Sequence, residues 1–426
     1  MKKRIIGSIF AMMMVGAAFS QNGVNSPYSQ FGLGALDDQS QGYSRGMNGV
    51  GLALRKGNVV NTLNPASYSA VDSLTMLFDI ALSGQFTTFK EGKNRSNVSN
   101  ADFSYAVGMF RLLPHVGVSV GVLPFSSIGY DYSTTSPVEG SSLKMTDSYT
   151  GAGGFHKLFL GAGWRIFKPL SVGFNASYLW GTYDRTVASV GSESQVKRIT
   201  KTYSASVRNY DLEFGLQWQQ PLSKKDELLL GAVVGIGHKL GTDPSCDIMT
   251  TDPLTSVSDT TSFSVANALQ LPMRYGVGLA WSHNQKWHVE ADFVMQKWAG
   301  IKFPVETNGH FDMRDDVLKN SYKANIGFDY LPAANSRRYF DRVHYRFGAG
   351  FATPYYKIYG ADGPKEFSVS AGIGLPLQNG WNNRSVLNIS GQWVHASSKG
   401  LITENTFRLN IGITFNEKWF AKWKID

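Results

Sequence analysis

Apolar residues alternate with small or polar ones along most of this chain. Leu74, Met76, Phe78, Ile80 and Leu82 fall on every second position, and Val116, Val118, Val120 and Val122 do so against Gly117, Ser119 and Gly121. Leu228, Leu230, Ala232, Val234 and Ile236 repeat the pattern, as do Leu387, Ile389 and Trp393 against Asn388, Ser390 and Gln392. Successive side chains on a strand point to opposite faces, so each stretch predicts a strand with one apolar face and one small or polar face. Fourteen such stretches can be read: 74–89, 101–112, 115–132, 154–166, 170–187, 199–218, 226–240, 261–282, 286–303, 319–331, 341–358, 365–377, 384–395 and 405–416.

The polar faces and the connections decide between two all-β architectures. In a soluble sandwich the apolar faces meet in a core, whereas in a membrane barrel they face lipid and the polar faces line the inside. His288, Glu290 and Asp292 share one face against Val289, Ala291 and Phe293. Neighbours two apart on a strand are separated by about 7 Å, so these three read as a hydrated lumen wall rather than a catalytic group. Connections after even-numbered strands are mostly short, as at Leu113-Pro114-His115, Phe167-Lys168-Pro169 and Ser282-His283-Asn284-Gln285. Those after odd-numbered strands include long polar loops near 133–153, 241–260 and 304–318. Short periplasmic turns opposite longer extracellular loops are the pattern of an outer-membrane barrel. No internal repeat of the kind a propeller would carry is found.

Two end segments complete the organisation. The basic Lys2, Lys3 and Arg4, the apolar run Ile5 to Ala18 and the Ala18-Phe19-Ser20 step read as a signal peptide over 1–20, too short to span a bilayer. Residues 21–73 carry glycine at 23, 32, 34, 42, 46, 49, 51 and 57 and too few apolar residues for a domain of their own, and they read as a plug inside the barrel. The barrel itself is placed at 74–416. Its closing strand, with Phe407, Leu409, Ile411, Ile413 and Phe415 on alternate positions, resembles the C-terminal recognition signal of outer-membrane barrels. The tail 417–426 combines Trp419, Phe420 and Trp423 with lysines. Such a tail suits a membrane-interface anchor, and the same three aromatics are the candidates for docking a periplasmic partner.

Composition points the same way. Charged residues make up 17% of the 426 positions, below the roughly 25% of soluble domains, and 45 glycines accompany 10 Trp, 19 Tyr and 26 Phe. The net charge is +9, or +6 without the three signal-peptide cations, too dilute a field for nucleic-acid binding. Cys246 is the only cysteine and sits in a loop-like stretch, so an intrachain disulfide and a cysteine-based zinc site are excluded. The chain lacks His-Glu-x-x-His, Gly-x-Ser-x-Gly and phosphate-loop patterns, so neither an enzyme activity nor a cofactor or metal is expected.

Several short motifs, in order over most of the chain, resemble the FadL-type outer-membrane transporters of long-chain fatty acids and other hydrophobic compounds. They are Arg45-Gly46-Met47-Asn48-Gly49-Val50-Gly51-Leu52-Ala53, Asn64-Pro65-Ala66-Ser67, Val122-Leu123-Pro124-Phe125, and Leu271-Pro272-Met273-Arg274-Tyr275-Gly276-Val277-Gly278 followed by Trp287 through Trp298. The resemblance implies an antiparallel barrel of fourteen transmembrane strands in the bacterial outer membrane, with the N-terminal segment plugging its lumen. It further implies passive uptake of a hydrophobic ligand that leaves sideways near the third strand. Asn64, Pro65, Ala66, Pro124 and Phe125 are then the ligand and gating candidates. Pro124 lacks an amide hydrogen, which fits either an open gap in the wall or a simple bulge. Asn64, Pro65 and Ala66 fit a fixed turn leading into the first strand, on which gating would depend.

Two functional readings follow. In one, the barrel admits fatty acids or similar apolar compounds and its partners are outer-membrane lipid and the ligand. In the other, a non-transporting FadL-like barrel serves as a partner subunit of an outer-membrane secretion or barrel-assembly complex. The tail beyond Phe415 and the Ser-, Thr- and Asp-rich loops at 133–153 and 241–260, poor in large apolar residues, keep the second reading open.

Overall fold

The computed structural model describes residues 23–193, 195–307, 309–377 and 385–417. The signal-peptide reading and the candidate docking residues Trp419, Phe420 and Trp423 lie outside the described residues. Fourteen antiparallel strands close into one barrel. They are β1 Met76–Glu91, β2 Asn94–Leu113, β3 Val116–Pro137, β4 Lys144–Phe167, β5 Leu170–Gly191, β6 Arg198–Pro221, β7 Asp226–Gly235, β8 Met273–His283, β9 Trp287–Lys297, β10 Ser321–Tyr330, β11 His344–Ala352, β12 Lys365–Leu377, β13 Ser385–Ser397 and β14 Thr403–Glu417. Closure runs from Met76↔Glu417 to Lys90↔Thr403, pairing the first strand with the last.

The barrel is inside-out relative to a soluble core. Leu82, Phe86, Leu160, Phe174, Val277, Ile326 and Phe347 are exposed on the outer wall, whereas Asp79, Asn175, Asp211, Glu290, Asn325, Arg346 and Asn410 are buried inside. That distribution places the apolar faces against lipid.

The regions at 133–153, 241–260 and 304–318 are largely strand rather than open loop, a correction to the sequence reading. β3 and β4 remain paired out to Pro137↔Lys144. Ser245–Thr251 pairs with Ser258–Ser264 and also with the upper part of β6, and Phe303–Thr307 pairs with His310–Arg314. Apolar alternation fades here because neither face meets lipid, while serine and threonine sustain pairing through side chains such as Thr135 and Thr146, 3.0 Å apart. Cys246 accordingly lies in a strand, buried opposite Tyr203. With 24 residues each, β4 and β6 far exceed the roughly 9–11 residues a tilted strand needs to cross the bilayer. One side of the barrel therefore rises well above the membrane.

Residues 23–73 run along the inward faces of the wall. Glycines make this close approach feasible. A Cβ on Gly231 of β7 would lie 2.0 Å from the Leu52 carbonyl oxygen, and one on Gly173 of β5 would lie 2.4 Å from the Pro65 carbonyl carbon. Toward the long-loop end, Leu33, Phe125, Tyr130, Phe155, Tyr183, Trp298 and Tyr355 join one apolar cluster.

Candidate functional site

Three sets of inward side chains hold the N-terminal segment. On β9, Asp292 Oδ2 accepts the amides of Gly51 and Leu52 at 2.7 and 3.0 Å, and Glu290 Oε1 accepts that of Ala53 at 2.7 Å. His288 Nε2 lies 3.1 Å from Glu290 Oε2. These three residues are buried beneath the segment rather than exposed to a hydrated lumen, which corrects the sequence reading. The cause is that exposed backbone amides of the segment need acceptors, and the carboxylates supply them.

The second set centres on Asp329 of β10. It accepts from Tyr43 Oη at 2.6 Å, Lys56 Nζ at 3.2 Å and Arg346 Nε at 3.2 Å, and its Oδ1 lies 2.9 Å from His344 Nδ1. The Arg346 guanidinium also covers the Tyr43 ring at 4.0 Å. In the third set, Asp79 accepts from Tyr105 Oη at 2.9 Å, and that hydroxyl accepts the Gly42 amide at 2.6 Å.

Asn64, Pro65 and Ala66 lie at the start of the short 3-10 helix Pro65–Ala70. Asn64 Oδ1 accepts the Ala66 amide at 3.1 Å, while its Nδ2 donates to Leu52 at 2.7 Å and to Leu216 of β6 at 3.1 Å. Proline at the first helical position and asparagine as its cap explain why this tripeptide makes a fixed turn. The turn packs against Gly163 of β4, Gly173 of β5 and Gly215 of β6, whereas Pro124 and Phe125 belong to β3.

At Pro124 the wall is interrupted. β3 pairs with β2 only from Leu113↔Val116 to Ala106↔Val122, and its ladder with β4 shifts register between Pro124 and Ser126. The N-terminal segment fills the wedge that opens. Ala35 and Leu36 pair antiparallel with Ser127 and Ser126. Gln39 Nε2 donates to the Pro124 carbonyl at 2.5 Å, and Ser26 donates its amide to Gly129 at 2.9 Å. Ser127 Oγ donates to Asp37 Oδ2 at 2.8 Å, and burial pushes that carboxyl up to about 6, with Ser127 and Arg408 opposing the shift. Sequence reasoning missed this added strand, since two residues carry no periodicity.

Above the segment lies a cavity of about 380 Å³ lined by Asp37, Lys157, Asp211, Glu213, Arg274 and Lys323, among others. Arg274 Nη2 contacts Asp211 at 2.7 Å and Glu213 at 3.5 Å. A pocket for an apolar ligand is mostly lined by apolar and aromatic side chains, with few polar groups. Here one ion-paired group, Arg274 with Asp211 and Glu213, shares the lining with Leu52, Leu123, Phe159 and Val233. Among the described residues, no cluster of three or more His, Cys, Asp or Glu could hold a metal ion. Burial pushes the Cys246 thiol up to about 11, which leaves it a poor nucleophile.

The closed fourteen-stranded barrel, its interrupted third strand and its inward N-terminal segment define a FadL-type outer-membrane transporter fold. Its solved likenesses include the Pseudomonas putida toluene transporter TodX, with TM-score 0.61 and 13% identity over 92% of this chain and 99% of that one. A Pseudomonas aeruginosa FadL homologue gives 0.61 and 9% over 90% and 99%. The Ralstonia pickettii toluene transporter TbuX gives 0.59 and 14% over 88% and 98%. The chain belongs to the BamG family, whose model matches residues 1–426. A search of the curated proteins finds no match.

Proposed function

We propose that this protein is an outer-membrane barrel that keeps the FadL-type fold while serving as a partner subunit of a barrel-assembly or secretion complex. The observation that carries this reading is the self-occupied wall and lumen. Ala35 and Leu36 pair into the wedge beside β3, residues 23–73 run along the inward faces of the wall, and Arg274 is paired with Asp211 and Glu213 in the wall of the remaining cavity. An apolar solute would have to displace hydrogen-bonded backbone and desolvate ion pairs, both costly steps. Membership of the BamG family is compatible with a subunit role. The tall β3–β6 wall offers surface beyond the bilayer for neighbours. Purification from native membranes in mild detergent, at native expression, tests it by mass spectrometry of proteins and lipids. Stoichiometric co-purifying membrane proteins are expected; a lone barrel carrying a defined apolar molecule would overturn it.

One observation favours hydrophobic uptake instead, namely the break in the β2–β3 ladder at Pro124. On that reading the wedge is a lateral exit held shut until ligand moves residues 35–39, and fatty acids or aromatic hydrocarbons are the substrates. Pro124→Val would then slow uptake of a radiolabelled hydrophobic compound by cells, whereas equal uptake would remove this reading.

A further inference from the structure

The rim at the short-turn end differs in charge from the lumen. Four successive described turns there carry exposed cations: Lys168 after β4, Lys224 and Lys225 after β6, Lys286 after β8, and Arg337 and Arg338 after β10. Just inside these turns, Trp164, Trp218, Trp281 and Trp287 are exposed on the outer wall. The turn after β10 is the exception in length among the described ones, with thirteen residues, 331–343, where the other described turns have two to four.

This long turn is built rather than loose. The Ala333 amide donates to the Asp341 carbonyl at 2.8 Å, and Ser336 Oγ donates to Asp341 Oδ2 at 2.6 Å. The only acid of the turn is thus engaged internally, and among the described residues no salt bridge involves Arg337 or Arg338. The turn also folds back onto the outer wall. His344 and Arg346 point inward to Asp329, so Tyr345 between them points out, and its hydroxyl donates to the Phe340 carbonyl at 3.2 Å. Tyr339 Oη donates to the Pro376 carbonyl of β12 at 3.3 Å, leaving Phe340 72% exposed.

We infer that the 331–343 turn is a seat for an anionic phospholipid of the inner leaflet, with Arg337 and Arg338 on the headgroup phosphate and Phe340 against the acyl chains. The inference rests on the outer-membrane reading of the barrel, in which short turns face the periplasm. A lipid fits better than a protein because the cations recur at four successive turns, after β4, β6, β8 and β10, with tryptophans on β4, β6, β8 and β9, a spread over more than half of the barrel, whereas a protein seat would concentrate at one turn. Aromatic rings settle at the headgroup level, and clustered basic side chains next to them favour anionic lipid.

The test uses the full-length protein in detergent and in native membranes. Native mass spectrometry with added phosphatidylglycerol or phosphatidylcholine should show preferential retention of the anionic lipid. Arg337→Gln with Arg338→Gln should lower that retention about tenfold, with Lys168→Gln having a smaller effect and heat resistance in gels unchanged. Equal retention of both lipids, or undiminished retention by the double variant, would overturn the inference. Because lipid could be lost for an indirect reason, a photo-crosslinking residue at position 340 supplies a second readout in native membranes. Phospholipid adducts are expected, and protein adducts alone would assign the turn to a protein partner and overturn the lipid assignment. Neither readout depends on whether the barrel works in a complex.

Discussion

Asp37 donates its backbone amide to the carbonyl of Phe125 at 3.1 Å, so the chain's own N-terminal segment adds to the edge of β3 where β2 has separated from it. Strand addition to a free edge is the same physics that lets a sheet bind a foreign peptide. Here the peptide is tethered in cis.

Asp37→Pro removes that amide and should weaken the closure by about 1 kcal/mol, the net worth of one such hydrogen bond. Hydrogen exchange at residues 33–39 should then accelerate while the barrel strands keep their protection. Single-channel recording in planar bilayers should also register brief conductance steps absent from the wild type.

Gly231→Val puts a side chain into the space held by the Leu52 carbonyl. The overpacking should cost about 1–3 kcal/mol and expel the segment locally rather than split the barrel, since β7 keeps its pairs with β6 and β8. Limited proteolysis after purification should cut between residues 45 and 60 in the variant only.

Asp329 gathers Lys56, Arg346, His344 and Tyr43. Asp329→Asn leaves the buried Arg346 guanidinium without its counter-charge, a loss of about 3–5 kcal/mol. The heat-induced mobility shift in gels should move to a clearly lower temperature. Adding Arg346→Met should recover part of the loss, because the coupling between the two sites is shared.

The hairpin formed by Phe303–Thr307 and His310–Arg314 gives a pH dependence outside the membrane. Burial opposes charge on Glu306, but Lys201 Nζ at 2.5 Å and the Gly309 amide at 2.8 Å outweigh it and hold the carboxyl below its usual range. A depressed folded-state value stabilises the hairpin above the ordinary carboxylate value, and that stability is lost as pH falls through the lowered one. Hydrogen exchange, corrected for its intrinsic pH dependence, should therefore show even protection of 303–314 from pH 8 to 6 and a loss on acidification to the lowest tolerated pH. Lys201→Gln should flatten the change.

The barrel was legible in sequence because alternation is strict wherever one face meets lipid, as from Leu228 to Ile236. It became illegible above the bilayer, where Thr135 and Thr146 pair across a hairpin read as loop. The Asn64-Pro65-Ala66 turn and the Pro124 break were visible as residue chemistry, since a proline either starts a helix or spoils a ladder. Their surroundings were not visible. The match of Asp292 to the amides of Gly51 and Leu52 spans some 240 positions, and nothing local in either stretch encodes it. His288, Glu290 and Asp292 read as hydrated for the same reason, since alternation reports which face a residue is on but not what covers it.

The Tyr43–Asp329 bond joins residues 286 positions apart, and closure of the wall waits on the pairing of β14 with β1. The first part of the chain to be exported must therefore be held in place until the last strand arrives, with inward carboxylates and amides unsatisfied in the meantime. Such a high-contact-order product forms slowly and is exposed to premature closure around an empty interior. Biogenesis of this barrel is accordingly a problem of timing, in which the leader acts as the mandrel on which its own sheet is wound.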